Sequence, residues 1–228
     1  MKQNILKFNF KFKSNDFFVT QKNFFAYEYI KKWPDWNNQF VYIYGPEKCG
    51  KTLISDIWKD YAQALYISSE DFNKKVPDNL DFSFIKKNNW IIDDIDKLIN
   101  EDKMKNNQKI LNFINILKDN SNSYLLMTGK QSPKYIGCKL KDLSSRLLES
   151  VVIEVSNPDQ ELLAKIIYKY LRDRNITLSE KCLSYITDRV ERSYESALKI
   201  AKKIDFKSLE KKSNITVYFL RSLLENEN

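Results

Sequence analysis

The residues best suited to chemistry lie in one run, Gly45-Pro46-Glu47-Lys48-Cys49-Gly50-Lys51-Thr52. It matches the spacing G-x-x-x-x-G-K-[ST] at every fixed position. Gly50 lets the backbone approach a phosphate, and the successive N–H groups form an anion nest at a helix N-terminus. Lys51 is placed to reach β- and γ-phosphates, and the Thr52 hydroxyl can bind a magnesium ion. A second run, Trp90-Ile91-Ile92-Asp93-Asp94-Ile95-Asp96, is an apolar stretch ending in carboxylates. Opposite a phosphate loop, Asp93 would hold Mg2+ directly or through water, and Asp94 would polarise an attacking water. A third run, Tyr124 to Thr128 followed by Gly129-Lys130, ends an apolar stretch on a polar residue, which places Thr128 beside the γ-phosphate. The chain has no histidine, so catalysis falls to carboxylates, Lys, Arg or a metal-bound water. Cys49, Cys138 and Cys182 match no zinc spacing. Cys49, at a variable position of the loop, reads as packing.

These groups need elements to hold them. Phe40 to Tyr44 reads as a buried strand leading into the loop. The segment after Lys51 sets Leu53, Ile54, Ile57, Trp58 and Tyr61 on one helical face, read as core. Ala64 to Ile67, Trp90 to Asp93, Tyr124 to Thr128 and Val151 to Val155 read as further strands. Between them lie a helix over Phe24 to Ile30, with Asn23 as its cap, a loop at Trp33 to Asn38, and a looser segment from Ser68 to Lys87. An amphipathic helix follows over Asn107 to Leu117, and a short helix starts at Asp142-Leu143-Ser144-Ser145-Arg146-Leu147 with Asp or Ser at its head. Strands alternating with helices predict an α/β fold with a largely parallel sheet flanked by helices and a ligand at the carboxyl ends of the strands.

From Asn157 the pattern turns all-helical. Asn157-Pro158 has cap-then-proline order, and Thr177-Leu178-Ser179-Glu180 has capping-box spacing. Helices are expected near residues 180–191, 194–205 and 215–225, making a small all-helical lid. The expected division is a tail over 1–14, a nucleotide-binding α/β domain over 15–156 and a lid over 157–228.

The net charge of +8 fits nucleic-acid contact, but the lysines are spread along the chain, so DNA contact is expected to be secondary. No apolar run approaches a membrane span and no signal-peptide core stands at the N-terminus, which predicts a cytoplasmic protein without a membrane partner. At the N-terminus, Gln3, Leu6 and Phe8 form a polar anchor with two apolar plugs, suited as an extended peptide to a groove. The alternation continuing through Phe10 and Phe12 fits a small edge strand equally well.

The order of phosphate loop, Asp93-Asp94 strand, Thr128-Gly129 strand end, Arg146 helix and helical lid resembles the DnaA-related AAA+ ATPases. Leu125-Leu126-Met127-Thr128-Gly129, then Pro133, then Asp142 to Leu147 is closest to the Hda-like branch. The resemblance covers almost the whole chain. It implies ATP or ADP with Mg2+ as cofactors, held by Gly45, Pro46, Glu47, Lys48, Cys49, Gly50, Lys51, Thr52 and Leu53. It sets the Phe17-to-Asn23 segment, with Phe18 and Asn23, near the adenine. It gives Thr52 and Asp93 to the metal, makes Asp94 and Arg146 the catalytic pair, and casts Arg146 as an arginine finger supplied across a subunit interface. The partners implied are the replication initiator DnaA and the DNA polymerase sliding clamp, the latter met by Gln3, Leu6 and Phe8; a homo-oligomer is a further option. The implied role is to stimulate hydrolysis of initiator-bound ATP and so repress re-initiation of replication. An initiator carries a C-terminal helix-turn-helix DNA-binding domain, whereas this chain reads as ending with the lid.

The chain departs from the pattern at Lys130, where an acidic residue is usual, and at Glu195, where the lid usually offers an Arg to the phosphates, with Arg192 one turn earlier. Asn4 and Lys7 depart from the usual clamp-binding peptide. The expectation is nucleotide binding with feeble turnover of the chain's own nucleotide. Other readings are a helicase-loader-like or DNA-remodelling AAA+ ATPase, an idle clamp–initiator adaptor, and a small-molecule kinase; the Arg146 helix and the lid argue against the last.

Overall fold

The protein was described from a computed structural model covering residues 17–76, 82–101, 103–119, 122–211 and 215–225. Gln3, Leu6 and Phe8 lie outside the described residues. Five strands form one parallel sheet in the order β2-β3-β4-β1-β5: β1 Phe40–Tyr44, β2 Leu65–Ser68, β3 Trp90–Asp93, β4 Leu125–Gly129 and β5 Val151–Glu154. The strands that carry the motifs, β1, β3 and β4, are interior. Apolar side chains point to both faces, as burial by helices on either side requires. β5 is an edge strand and keeps only Ile153 buried.

Before the C-terminal region the helices are α1 Phe24–Lys31, α2 Lys51–Ala62, α3 Phe72–Lys75, α4 Phe82–Lys86, α5 Ile95–Asn100, α6 Lys103–Lys118 and α7 Lys141–Glu149, with a 3-10 turn at Pro133–Tyr135. Two cores flank the sheet. Val41 and Ile43 face Ile54, Ile57 and Trp58 of α2 on one side. Tyr42, Ile92 and Met127 face Leu98 of α5 and Ile110, Phe113, Ile114 and Leu117 of α6 on the other. Tyr61, expected on the buried face of α2, is 47% exposed: one turn beyond Trp58, it lies past the edge of that core.

The register decides where chemistry can happen. Ile43 lies opposite Thr128, Tyr44 opposite Gly129, and Ser68 opposite Asp93. The loop after β1 therefore leaves the sheet beside the carboxyl ends of β3 and β4. The N–H of Gly45 donates to the Gly129 carbonyl at 3.2 Å. A methyl on Gly45 would sit 2.0 Å from the Val155 carbonyl oxygen, so only glycine fits there.

The C-terminal region is helical: α8 Gln160–Arg172, α9 Glu180–Thr187, α10 Tyr194–Lys211 and α11 Val217–Glu225. Leu162, Leu163, Ile166 and Ile167 of α8 meet Ala197, Ala201 and Ile204 of α10 and Leu220 of α11 in a third core. Phe17, Phe18 and Leu53 pack against it, tying the region to the sheet domain.

Several helix starts differ from expectation. α8 is capped by Asp159, whose carboxylate accepts from the Leu162 N–H at 2.8 Å, so Asn157-Pro158 precede the helix as an extended lead-in. α9 is capped by Ser179, accepting from the Cys182 N–H at 3.3 Å, and Thr177 lies outside it. α7 has Leu140 at its cap position and no side-chain cap; Asp142 lies in its first turn. Asn23 occupies the cap position of α1 but makes no capping bond, because its side chain is committed elsewhere, as described below.

Candidate functional site

The loop from Gly45 to Gly50 bends back on itself before α2. Lys48 and Gly50 both adopt left-handed backbone, with φ of 61° and 106°. Gly50 is doubly constrained, since a Cβ there would also meet the Tyr194 ring at 2.8 Å. Lys51 is buried, and its ammonium donates to the carbonyls of Gly45 and Pro46, each at 2.8 Å. Cys49 is also buried, and burial raises its thiol pKa; it packs as expected.

Beside the loop, one carboxylate gathers three hydroxyls. Asp93 accepts from Thr52 at 3.4 Å, from Tyr66 at 2.6 Å and from Thr128. The Thr128 hydroxyl oxygen also accepts from the Asp94 N–H at 2.9 Å, which fixes the corner where β3 leaves the sheet. Burial, then the hydrogen bond to Asp93, holds the Tyr66 hydroxyl protonated far above the usual phenol range. Asp94 takes a left-handed conformation, φ 54°, at the head of α5, and its carboxylate pairs with Lys97 at 2.6 Å. Asp96 is buried and accepts from the Lys130 N–H at 2.8 Å, pinning the chain just after β4.

The opposite wall comes from the helical region. The Tyr194 N–H reaches the Lys48 carbonyl at 3.4 Å, and its ring lies over Gly50 and parallel to Phe17, centroids 6.3 Å apart. Asn23 is buried and donates to the Phe18 carbonyl at 2.9 Å and to the Tyr194 hydroxyl at 3.2 Å, while its own carbonyl oxygen accepts from the Thr20 N–H. This is where its capping capacity goes: it pins the 18–23 segment to the lid. Burial raises the Tyr194 hydroxyl well above the ordinary phenol range.

Between the walls lies an open cavity of about 380 Å³, within the range of small-ligand sites. It is lined by Glu47, Lys48, Gly50, Lys51, Thr52, Leu53, Asp94, Lys97, Lys130, Tyr194 and Glu195. Three ion pairs ring it: Lys48–Glu195 at 3.3 Å, Lys97–Asp94 at 2.6 Å and Lys130–Glu47. The bond from Lys130 holds the Glu47 carboxyl below its ordinary range, and the bond to Glu195 raises the Lys48 ammonium. Glu195 thus faces the loop where a lid cation was the usual expectation.

The structure brings together most residues singled out from sequence. Glu47, Lys48, Gly50, Lys51, Thr52, Leu53 and Asp94 line the cavity. Asp93 and Thr128 bond to each other beside Thr52 without lining it, and Asn23 is bonded to Phe18 and Tyr194. Arg146 is elsewhere. It lies near the end of α7, bonded to Glu149 at 3.0 Å, with Lys118 on the same carboxylate at 3.6 Å, and it does not line the cavity. Sequence reasoning missed Tyr66, Asp96, Lys97 and Tyr194. Lys97 is in a short helix three residues after the second carboxylate, a spacing that pairs side chains on a helix, so it was within reach of the sequence. Tyr66 and Tyr194 come from distant segments and leave no local signal.

No family model matches the chain. In sequence it is 25% identical over 233 residues to the chromosomal replication initiator protein DnaA of Buchnera aphidicola subsp. Cinara cedri, covering 95% of this chain and 53% of that protein. The chain therefore spans about half the length of that relative. In fold it is similar to domain III of the Thermotoga maritima replication initiation protein DnaA, with a TM-score of 0.76, 22% identity and coverage of 93% and 95% of the two chains. It is also similar to AMPPCP-bound DnaA from Aquifex aeolicus, with a TM-score of 0.72, 21% identity and coverage of 85% and 65%. The parallel sheet, the loop after β1 and the helical region together are the AAA+ P-loop fold.

Proposed function

We propose that this chain, a DnaA-related AAA+ domain by sequence and fold, binds an adenine nucleotide and regulates the replication initiator in the manner of Hda. The observation that carries the nucleotide reading is the cavity itself. A glycine-rich loop heads α2 with Lys51 in place, Asp93 and Thr52 stand beside it, and a lid residue closes over Gly50. The AMPPCP bound by the Aquifex aeolicus protein supports the same ligand class. Lys51 would exchange the Gly45 and Pro46 carbonyls for phosphate oxygens. Phe18 and Asn23, behind Tyr194, would border the base.

The donor set fits a hard divalent cation such as Mg2+: Thr52 Oγ1 and the Asp93 carboxylate are 3.4 Å apart and offer only oxygen. Among the described residues no group of three or more Cys, Asp or Glu side chains could hold a metal, so phosphate oxygens and water would complete the shell. The ion would supply charge neutralisation between the terminal phosphates. Asp94, the next residue, would orient water, and its carboxylate is bonded to Lys97 at 2.6 Å.

Arg146 carries the regulatory part of the reading. Its guanidinium lies outside this chain's cavity, paired with Glu149, so in this reading it would act on a nucleotide held by another subunit. In this reading residues 15–156 hold the nucleotide and Arg146, 157–228 form the lid, and Gln3, Leu6 and Phe8 of the 1–14 tail dock on the DNA-loaded sliding clamp. Among the described residues no helix is long and apolar enough to cross a membrane. The test is hydrolysis of initiator-bound ATP, with and without DNA-loaded clamp. Clamp-dependent acceleration, lost in Arg146→Ala and in a Leu6/Phe8 double-alanine variant, is expected. Acceleration that survives Arg146→Ala would remove the finger. No acceleration under any condition would contradict the proposal and turn attention to DNA binding and a loader role.

A further inference from the structure

We infer that Lys97 is a receptor for the terminal phosphate, exchanging the Asp94 carboxylate for a phosphoryl oxygen when a nucleoside triphosphate enters. The inference rests on the nucleotide reading above and asks how that cavity tells a triphosphate from a diphosphate.

The cavity lining holds four lysines, Lys48, Lys51, Lys97 and Lys130, and three carboxylates, Glu47, Asp94 and Glu195. Lys51 is held by the loop's own carbonyls. Each of the other three is bonded to one carboxylate. A polyphosphate entering this cavity therefore meets Lys51, held by neutral carbonyls, and three lysines already paired with carboxylates of the polyphosphate's own sign. Like charges a few ångströms apart repel, so a lysine that changes partner from carboxylate to phosphate strengthens the complex.

The three pairs differ in what a partner change achieves. Lys48 ties the loop to the lid, and Lys130 ties the end of β4 to Glu47 of the same loop. Lys97 alone is bonded to Asp94, the carboxylate next to Asp93 and Thr52, where a terminal phosphoryl would lie. Its ammonium is within electrostatic reach of Glu47 and Lys130 as well. The side chain is 42% exposed on the short α5, so its stem can swing without disturbing a core. A lysine has three rotatable donors and suits such an exchange. On moving to phosphate it offsets the added charge and frees the Asp94 carboxylate. A diphosphate does not extend to that point and leaves the Lys97–Asp94 pair in place. Recognition of the third phosphate is thereby coupled to release of the group that orients water.

The experiment is isothermal titration of the full chain with Mg·ADP and with Mg·AMPPCP, which is not hydrolysed, for the natural protein, Lys97→Met and Lys97→Arg. Lys97→Met is expected to weaken AMPPCP about tenfold or more, the loss of one charge-assisted hydrogen bond, and to leave ADP within about twofold. Lys97→Arg is expected to keep the ratio of the two affinities closer to that of the natural protein. ADP binding doubles as the fold control. An equal loss for both nucleotides, or no change in their ratio, overturns the inference while leaving the nucleotide site intact. If the natural protein binds neither nucleotide, the site reading fails and the role of Lys97 fails with it.

Discussion

The two walls of the cavity are built on different physics. On the sheet side, the polar groups beside the loop are bonded to one another: Thr128 is fully buried, Lys51 nearly so, and Asp93 is held by the hydroxyls of Thr52, Tyr66 and Thr128. On the lid side, the Tyr194 ring is buried over Gly50 with its hydroxyl accepting from Asn23, and the charged contact is the Lys48–Glu195 pair, 45% and 69% exposed. Removing a partner from a buried polar network leaves unsatisfied groups, whereas a solvated ion pair hands its charges to water. The hydroxyl network around Asp93 is thus fixed by the fold, whereas the solvated pairs, Lys48–Glu195 on the lid and Lys97–Asp94 at the head of α5, can change partner when a ligand enters.

Four substitutions sharpen or break that contrast. Gly45→Ala drives a methyl to 2.0 Å from the Val155 carbonyl oxygen, a backbone group that cannot step aside. A loss of about 3 kcal/mol or more in urea unfolding is expected, since overpacking against backbone must displace a strand. Thr128→Val removes one hydroxyl that serves both Asp93 and the Asp94 N–H. A cost of about 1–3 kcal/mol is expected, read from the same unfolding curves. On the lid side, Tyr194→Phe keeps the ring but removes the acceptor for Asn23, which retains its bond to Phe18. About 1 kcal/mol is expected there. Glu195→Gln should leave the urea midpoint unchanged and tighten binding of AMPPCP, by removing a negative charge from the cavity. If Glu195→Gln destabilises the protein as much as Thr128→Val, the two walls are alike and the contrast is wrong.

Those effects also divide what could be read from the chain alone. The loop, Asp93, Asp94 and the strands beneath them were legible because their signals are local: an apolar run, a glycine at the turn, carboxylates at a strand end. The parallel sheet followed from alternating strands and helices, and the observed order puts the expected strand ends side by side. Helix starts were less legible, because several residues competed for each cap and tertiary bonds chose among them. Asn23 went to Thr20, Phe18 and Tyr194, and Asp159 and Ser179 took the caps assigned to Asn157 and Thr177. The lid wall was least legible. Glu195 was expected near the phosphates, but its partner Lys48 is 147 positions away, and nothing in the order of residues announces that pairing. Tyr66 reaches Asp93 from the neighbouring strand for the same reason.

The central claim is that the cavity between these walls is a nucleotide site, and calorimetric titration of the full chain with Mg·ADP tests it most directly. The account predicts one ADP per chain, with the heat lost in Lys51→Ala while that variant still unfolds in a single cooperative urea transition, at a lower midpoint because the Gly45 and Pro46 carbonyls lose their donor. Absence of binding by the natural chain, or ADP bound equally well by Lys51→Ala, would contradict it.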